Sequence, residues 1–115
     1  MGVFDSVTMV ALHSALDGLS ERQEAIANNV ANLQTPNYHA ERVSFEDALS
    51  QAVANGSGAA TATVSRSLEP TDQNGNNVNL DTETLSNIDT NLKYETATQA
   101  MSTEYSQIRA AMRTS

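Results

Sequence analysis

The chain has 115 residues, 39% of them apolar, with two Phe, three Tyr and no Trp, which is thin material for a globular core. Fourteen acids against six bases give a net charge of −8, and no cluster of Lys or Arg stands anywhere, so nucleic acid and anionic membrane are poor partners. Cysteine is absent, which removes disulfides and thiolate metal sites.

The early residues lack the basic start and apolar run of a secretory signal, and no stretch approaches the ~20 apolar residues of a membrane span. If the chain leaves the cytoplasm, a route without a cleaved peptide is therefore expected. A first helix is expected over about 7–34, with Asp5 or Ser6 as its N-cap. Met9, Leu12, Leu16, Leu19, Gln23, Ile26, Val30 and Leu33 step by three and four in turn, a narrow heptad seam in which Gln23 is polar. Gly18 and Ser20 lie mid-helix, and Ser20-Glu-Arg-Gln23 fits a capping box. The seam keeps its phase across them, so one continuous helix is expected. Thr35-Pro36 ends it, because the residue before proline avoids the α region.

Residues 35–80 read as a long polar connector. A short helix is expected over 44–53, around Phe45 and Leu49, and Thr63–Ser67 has a weak extended pattern. Between them Asn55-Gly-Ser-Gly-Ala-Ala is of low complexity, and the connector is expected to be partly disordered or ordered by a partner. Asn74-Gly75 marks a turn.

A second helix is expected over about 82–113, with Asp81 as N-cap and Leu80 and Leu85 as a hydrophobic staple. Asp81, Glu83 and Asp89 lie early and Arg109 and Arg113 late, an order that complements the helix dipole. The fold class is mainly α: two long helices paired as an antiparallel, coiled-coil-like hairpin in one domain. The expected pairing sets Leu12, Leu16, Leu19, Ile26, Val30 and Leu33 against Leu85, Ile88, Leu92, Met101 and Ile108.

Outside both seams the helices carry Ala, Asn, Ser and Thr where a solvated helix carries Glu, Lys and Arg. Such faces suit close contact with further subunits. Catalytic chemistry is not legible. His13 and Asp17 offer two ligands and no third, Asn55-Gly-Ser-Gly lacks the Lys of a phosphate loop, and Glu46-Asp47 point apart on a helix. No enzyme, cofactor, metal or small-molecule substrate is expected.

The segment Ala25, Ile26, Ala27, Asn28, Asn29, Val30, Ala31, Asn32, Leu33, Gln34, Thr35, Pro36, with Tyr38 beyond, resembles the N-terminal signature of flagellar axial proteins. The short length, Arg42–Leu49 and Asn74–Asp81 resemble the proximal rod members in particular. The resemblance implies a structural subunit exported by the flagellar type III apparatus and built into the basal-body rod, which transmits motor torque. It implies contact with copies of itself, with FlgC, FlgF and FliE, and with the membrane ring or export gate. On that reading Ala25, Ile26, Asn28, Asn29, Val30, Ala31, Asn32, Thr35, Pro36 and Tyr38 form an assembly interface. The relative FlgC and a secreted helical-hairpin adaptor or chaperone are the alternatives.

Overall fold

The computed structural model describes residues 3–114. The chain runs α1 (Val3–Ala31), β1 (Glu41–Ser44), α2 (Glu46–Ala54), β2 (Thr63–Arg66) and α3 (Leu80–Thr114). It is elongated, with principal extents of 65 × 24 × 14 Å. The two long helices pass in opposite directions, since Gln23 bonds to Asn91 at 2.6 Å while Asn29 bonds to Glu83 at 2.7 Å. Gln23, the polar place in the first seam, thus meets an amide on the other helix.

The first helix already includes Val3, so the expected cap positions Asp5 and Ser6 fall within its bounds and not ahead of them. It is continuous through Gly18 and Ser20, as the phase of the seam predicts. The glycine has a packing reason. A Cβ on Gly18 would sit 2.5 Å from the Phe45 ring, which lies directly on the helix backbone. Leu19, Ala25, Val43, Phe45 and Ala97 form the core, with Leu12, Ala15, Leu16, Leu49 and Ala62 packed against it. The core therefore sits between the middle of α1 and the connector, with α3 adding one alanine to its buried members.

The connector is more organised than its composition suggests. β1 and β2 pair antiparallel, with Val43 opposite Val64. Residues 55–62 strap back over the start of α1: the Ser14 hydroxyl donates to the Gly58 carbonyl at 2.9 Å and accepts from the Ala60 N–H at 3.1 Å. Gly58 has φ +71°, and a Cβ there would lie 2.6 Å from the Val7 carbonyl oxygen. Backbone docked on backbone needs no apolar side chain, which is why this stretch reads as low complexity.

The second long helix, α3, is entered two residues earlier than expected. Asn79 is the cap: its side-chain oxygen accepts the Thr82 N–H at 3.0 Å, while Asp81 already lies within the first turn. Leu80 and Leu85 are both exposed and form no staple.

Gly18→Ala removes a helix-interior glycine and by propensity alone gains about 1 kcal/mol. Here it drives a methyl into the Phe45 ring. We expect a net loss of about 1–3 kcal/mol in chemical denaturation; unchanged or increased stability would show that the ring has room to withdraw.

Candidate functional site

The residues after α1 form a hub around which the whole chain is tied. At the helix end the Asn32 N–H bonds to the carbonyls of Asn28 and Asn29, both at 3.1 Å, and Thr35 N–H bonds back to Asn32. The remaining helix-end carbonyls are capped from far along the chain. Asn76 donates its side-chain amide to the carbonyls of Asn32 at 2.9 Å and Thr35 at 2.8 Å. Asn37 takes φ 63°, a left-handed conformation that asparagine tolerates, and its N–H bonds to the Asn74 carbonyl at 2.9 Å.

Asn77 continues the seal. Its side-chain oxygen accepts the Ala40 N–H at 2.7 Å, and its amide donates to the carbonyls of Ser67 and Glu69, each at 3.1 Å. Asn76, Asn77 and Val78 are all buried. The Asn-rich run is an internal part of the fold.

Asn29 is the centre of the hub and is fully buried, at 0% exposure. Its oxygen accepts the Glu41 N–H at 2.7 Å, and its amide donates to the Glu41 carbonyl at 3.0 Å. The side chain thus imitates a strand neighbour for β1. The same amide reaches Glu83 at 2.7 Å, and the Tyr38 hydroxyl approaches its oxygen at 3.4 Å. Glu83 is itself buried, and its other oxygen accepts from Arg42 at 2.9 Å. A buried carboxylate is tolerable only when so partnered. Arg66 completes the rim, 5.2 Å over the Tyr38 ring and bonded to the His39 carbonyl at 3.0 Å.

A second clamp fixes the connector to α1. Arg22 makes two bonds of 2.7 Å to the Glu46 carboxylate and one of 2.7 Å to the Val43 carbonyl, and lies 4.8 Å over the Phe45 ring. Bonding from Arg22 holds the Glu46 carboxyl down at about 2, against an ordinary value of 4.5. Glu46 remains exposed and is at the same time the partner of Arg22.

These contacts revise the expected roles. Asn29 does not face outward; it turns into the monomer because its amide alone satisfies β1 and Glu83 together. Ala25 and Ile26 are also buried, whereas Ala27, Asn28, Val30, Ala31, Thr35 and Pro36 remain on the surface. Asn32 and Tyr38 are half-buried.

Of the expected pairing residues, Leu19 and Ile26 are buried and Leu12, Leu16, Leu33, Met101 and Ile108 are half-buried. Leu85, Ile88 and Leu92 face away from α1, at 69%, 53% and 60% exposure. The α3 face turned to α1 carries Glu83, Thr90 and Ala97 instead, spaced by seven. Sequence periodicity picked the most apolar stripe, and the helix buries its small and polar one. The Thr90 hydroxyl and one Arg42 nitrogen are buried with no hydrogen-bond partner. Leu92 and Ala97 stand five residues apart, about 140° around the helix, so the two do not share a face.

Val30 and Leu80 line a groove of about 590 Å³ between the end of α1 and the start of α3, with Ile26, Ala27 and Ala31. Among the described residues no group of three or more His, Cys, Asp or Glu is placed to hold a metal ion, and no helix is long and apolar enough to cross a membrane.

The part of the hub contributed by α1 and the residues through Tyr38 falls within a family match. A family model described as Flagella basal body rod protein matches residues 9–39, which span most of α1 and the signature through Tyr38. Flagellar basal body rod protein FlgB of Bacillus subtilis is 28% identical over 121 residues, covering 93% of this chain and 94% of the relative. FlgB of Borrelia hermsii is 44% identical over 55 residues, 48% of this chain and 40% of the relative. FlgB of Borreliella burgdorferi is 46% identical over 43 residues, 37% of this chain and 32% of the relative.

Two outcomes follow from the geometry. Asn29→Ala strands the Glu41 N–H and one oxygen of Glu83, at about 1–3 kcal/mol for each buried group. Asn32→Ala, whose side-chain bonds are local and exposed, should cost under about 1 kcal/mol. Equal losses in parallel denaturant titrations would contradict the hub. The Arg22–Glu46 clamp has a folded pKa below its unfolded one, so its stabilisation is present above about 4.5 and lost as pH falls toward about 2. The difference in melting temperature between the wild type and Glu46→Gln should therefore shrink across that window.

Proposed function

We propose that this chain, a relative of the flagellar basal body rod proteins, is a structural subunit of the proximal rod of the bacterial flagellum. The observation that carries the reading is the alignment with FlgB along 93% of the chain, joined to the rod-protein match over the α1 signature. That alignment favours a FlgB-like position over the relative FlgC or a helical-hairpin adaptor.

On this reading the subunit leaves the cytoplasm unfolded through the flagellar type III apparatus, without a cleaved peptide. It joins the rod outside the inner membrane, in the periplasm where there is an outer membrane. Its partners there are copies of itself, FlgC, FlgF, FliE and the membrane ring or export gate. Torque passes through it as load on a fixed structure, not as chemistry. The elongated shape and the exposed Leu85, Ile88 and Leu92 support a subunit contacted from outside by others. The exposed part of the signature, from Ala27 to Pro36, and the groove beside it would serve as assembly surface, while Asn29 holds that surface in shape.

An in-frame deletion in the source bacterium should give cells without flagella or motility, with basal bodies stopped before the rod forms, restored by the gene in trans. A deletion strain that swims normally would sink the proposal.

A further inference from the structure

The cations of this chain are not distributed at random over the fold. Arg22, Arg42, Arg66 and Lys93 each pair with carboxylates of the same chain. Of the six bases that leaves Arg109 and Arg113, which make no ion pair among the described residues. Both lie in the last turns of α3, beside exposed Tyr105 and Met112. This end of the helix is apolar and basic.

The other half of α3 is its complement. At 100° per residue Leu85, Ile88 and Leu92 form one outward stripe, opposite the Glu83, Thr90 and Ala97 face that meets α1. Asp81 lies in line with the stripe, and Asp89 and Glu95 flank it. Lys93, the nearby cation, is held by Asp89 at 3.0 Å and stands 3.8 Å from Glu46. The stripe is therefore apolar, and its acids without an ion pair among the described residues are Asp81 and Glu95.

We infer that the occupant of the Leu85–Leu92 stripe is the basic C-terminal end of α3 from a second copy of this chain. This deepens the rod-subunit reading and rests on it. A stripe-to-stripe contact is disfavoured by charge: a two-fold pairing centred on Ile88 sets Asp81 against Glu95. Pairing of unlike patches removes the repulsion and covers both sets of apolar side chains. Because the two patches differ and lie at opposite parts of one helix, each docked copy still offers its own free patch. The contact is heterologous and continues from copy to copy without closing by two-fold symmetry. The area is small, so single contacts are weak and salt-sensitive, and the array gains strength by repetition.

The chain contains no cysteine, which permits a clean cross-linking test. Thr84 flanks the stripe and Ser102 flanks the basic end; both are exposed, and they stand about 27 Å apart along α3. A bismaleimide shorter than that span cannot join Thr84→Cys to Ser102→Cys within one chain. With the purified full chain at high concentration and low salt, the double variant should give a ladder of dimers and higher species, and Thr84→Cys alone should stay monomeric. Adding Arg109→Glu and Arg113→Glu should cut the ladder at least about tenfold. Adding Asp89→Arg and Glu95→Arg to that chain should restore it.

Three results overturn the inference: no ladder, a ladder indifferent to charge reversal, or dimers from Thr84→Cys alone. None of these bears on whether a deletion strain lacks flagella, so the contact can fail while the rod-subunit reading stands.

Discussion

The fold depends on what one buried carboxamide can do. Asn29 accepts from the Glu41 N–H, donates to the Glu41 carbonyl and donates again to Glu83. A carboxamide brings two N–H donors and an acceptor oxygen to one planar end, whereas a carboxylate only accepts and a hydroxyl has a single proton to donate. Through it α1 fixes the register of β1, and in the same plane fixes where the first turn of α3 must lie. Arg42, carried on β1, closes the circuit by holding the far oxygen of Glu83 at 2.9 Å. Three segments distant in sequence are thus positioned by direction-specific bonds before apolar packing adds anything.

Asn76 and Asn77 extend the same logic. Each is buried, and each answers backbone groups that the end of α1 and the strand edge leave open. A small chain with 39% apolar residues cannot seal a connector with side-chain volume. It seals it with amides and with glycines that permit close approach, of backbone to backbone where Gly58 meets Val7 and of the Phe45 ring to the helix at Gly18. Such a design tolerates poor apolar content and is unforgiving at the amide positions, because an unmet buried group costs its full desolvation.

The parts of the structure written in periodicity or in capping chemistry were legible from the sequence. The continuity of α1 across Gly18 followed from the phase of Leu12, Leu16, Leu19 and Ile26. The short helix near Phe45, the extended Thr63–Arg66 segment and the turn at Gly75 were also readable. The hub was not. Its members lie 12 and 54 residues apart in the Asn29 bonds, and asparagine in a polar run looks the same whether it is solvated or buried. The signature was visible as a pattern, but a pattern does not say which way Asn29 points. The seam of α3 misled for a more general reason. Periodicity locates the most apolar stripe and assigns it to the nearest partner, which for a subunit of an assembly need not be its own chain.

That last point turns an anomaly into an inference about design. A helix that buries Glu83, Thr90 and Ala97 while exposing Leu85, Ile88 and Leu92 is inside out for a protein that folds for its own sake. The inward face is held by polar bonds and small side chains, so it does not compete for the leucines. On the rod-subunit reading, the outward face keeps them for an interface buried only when another chain arrives. Stability is thereby divided: hydrogen bonds specify the subunit, and apolar burial drives contact between subunits. A chain divided in this way holds its shape without using up its capacity to associate, and on the contact inferred above the direction of association follows from where Arg109 and Arg113, without an ion pair among the described residues, stand relative to the outward acids.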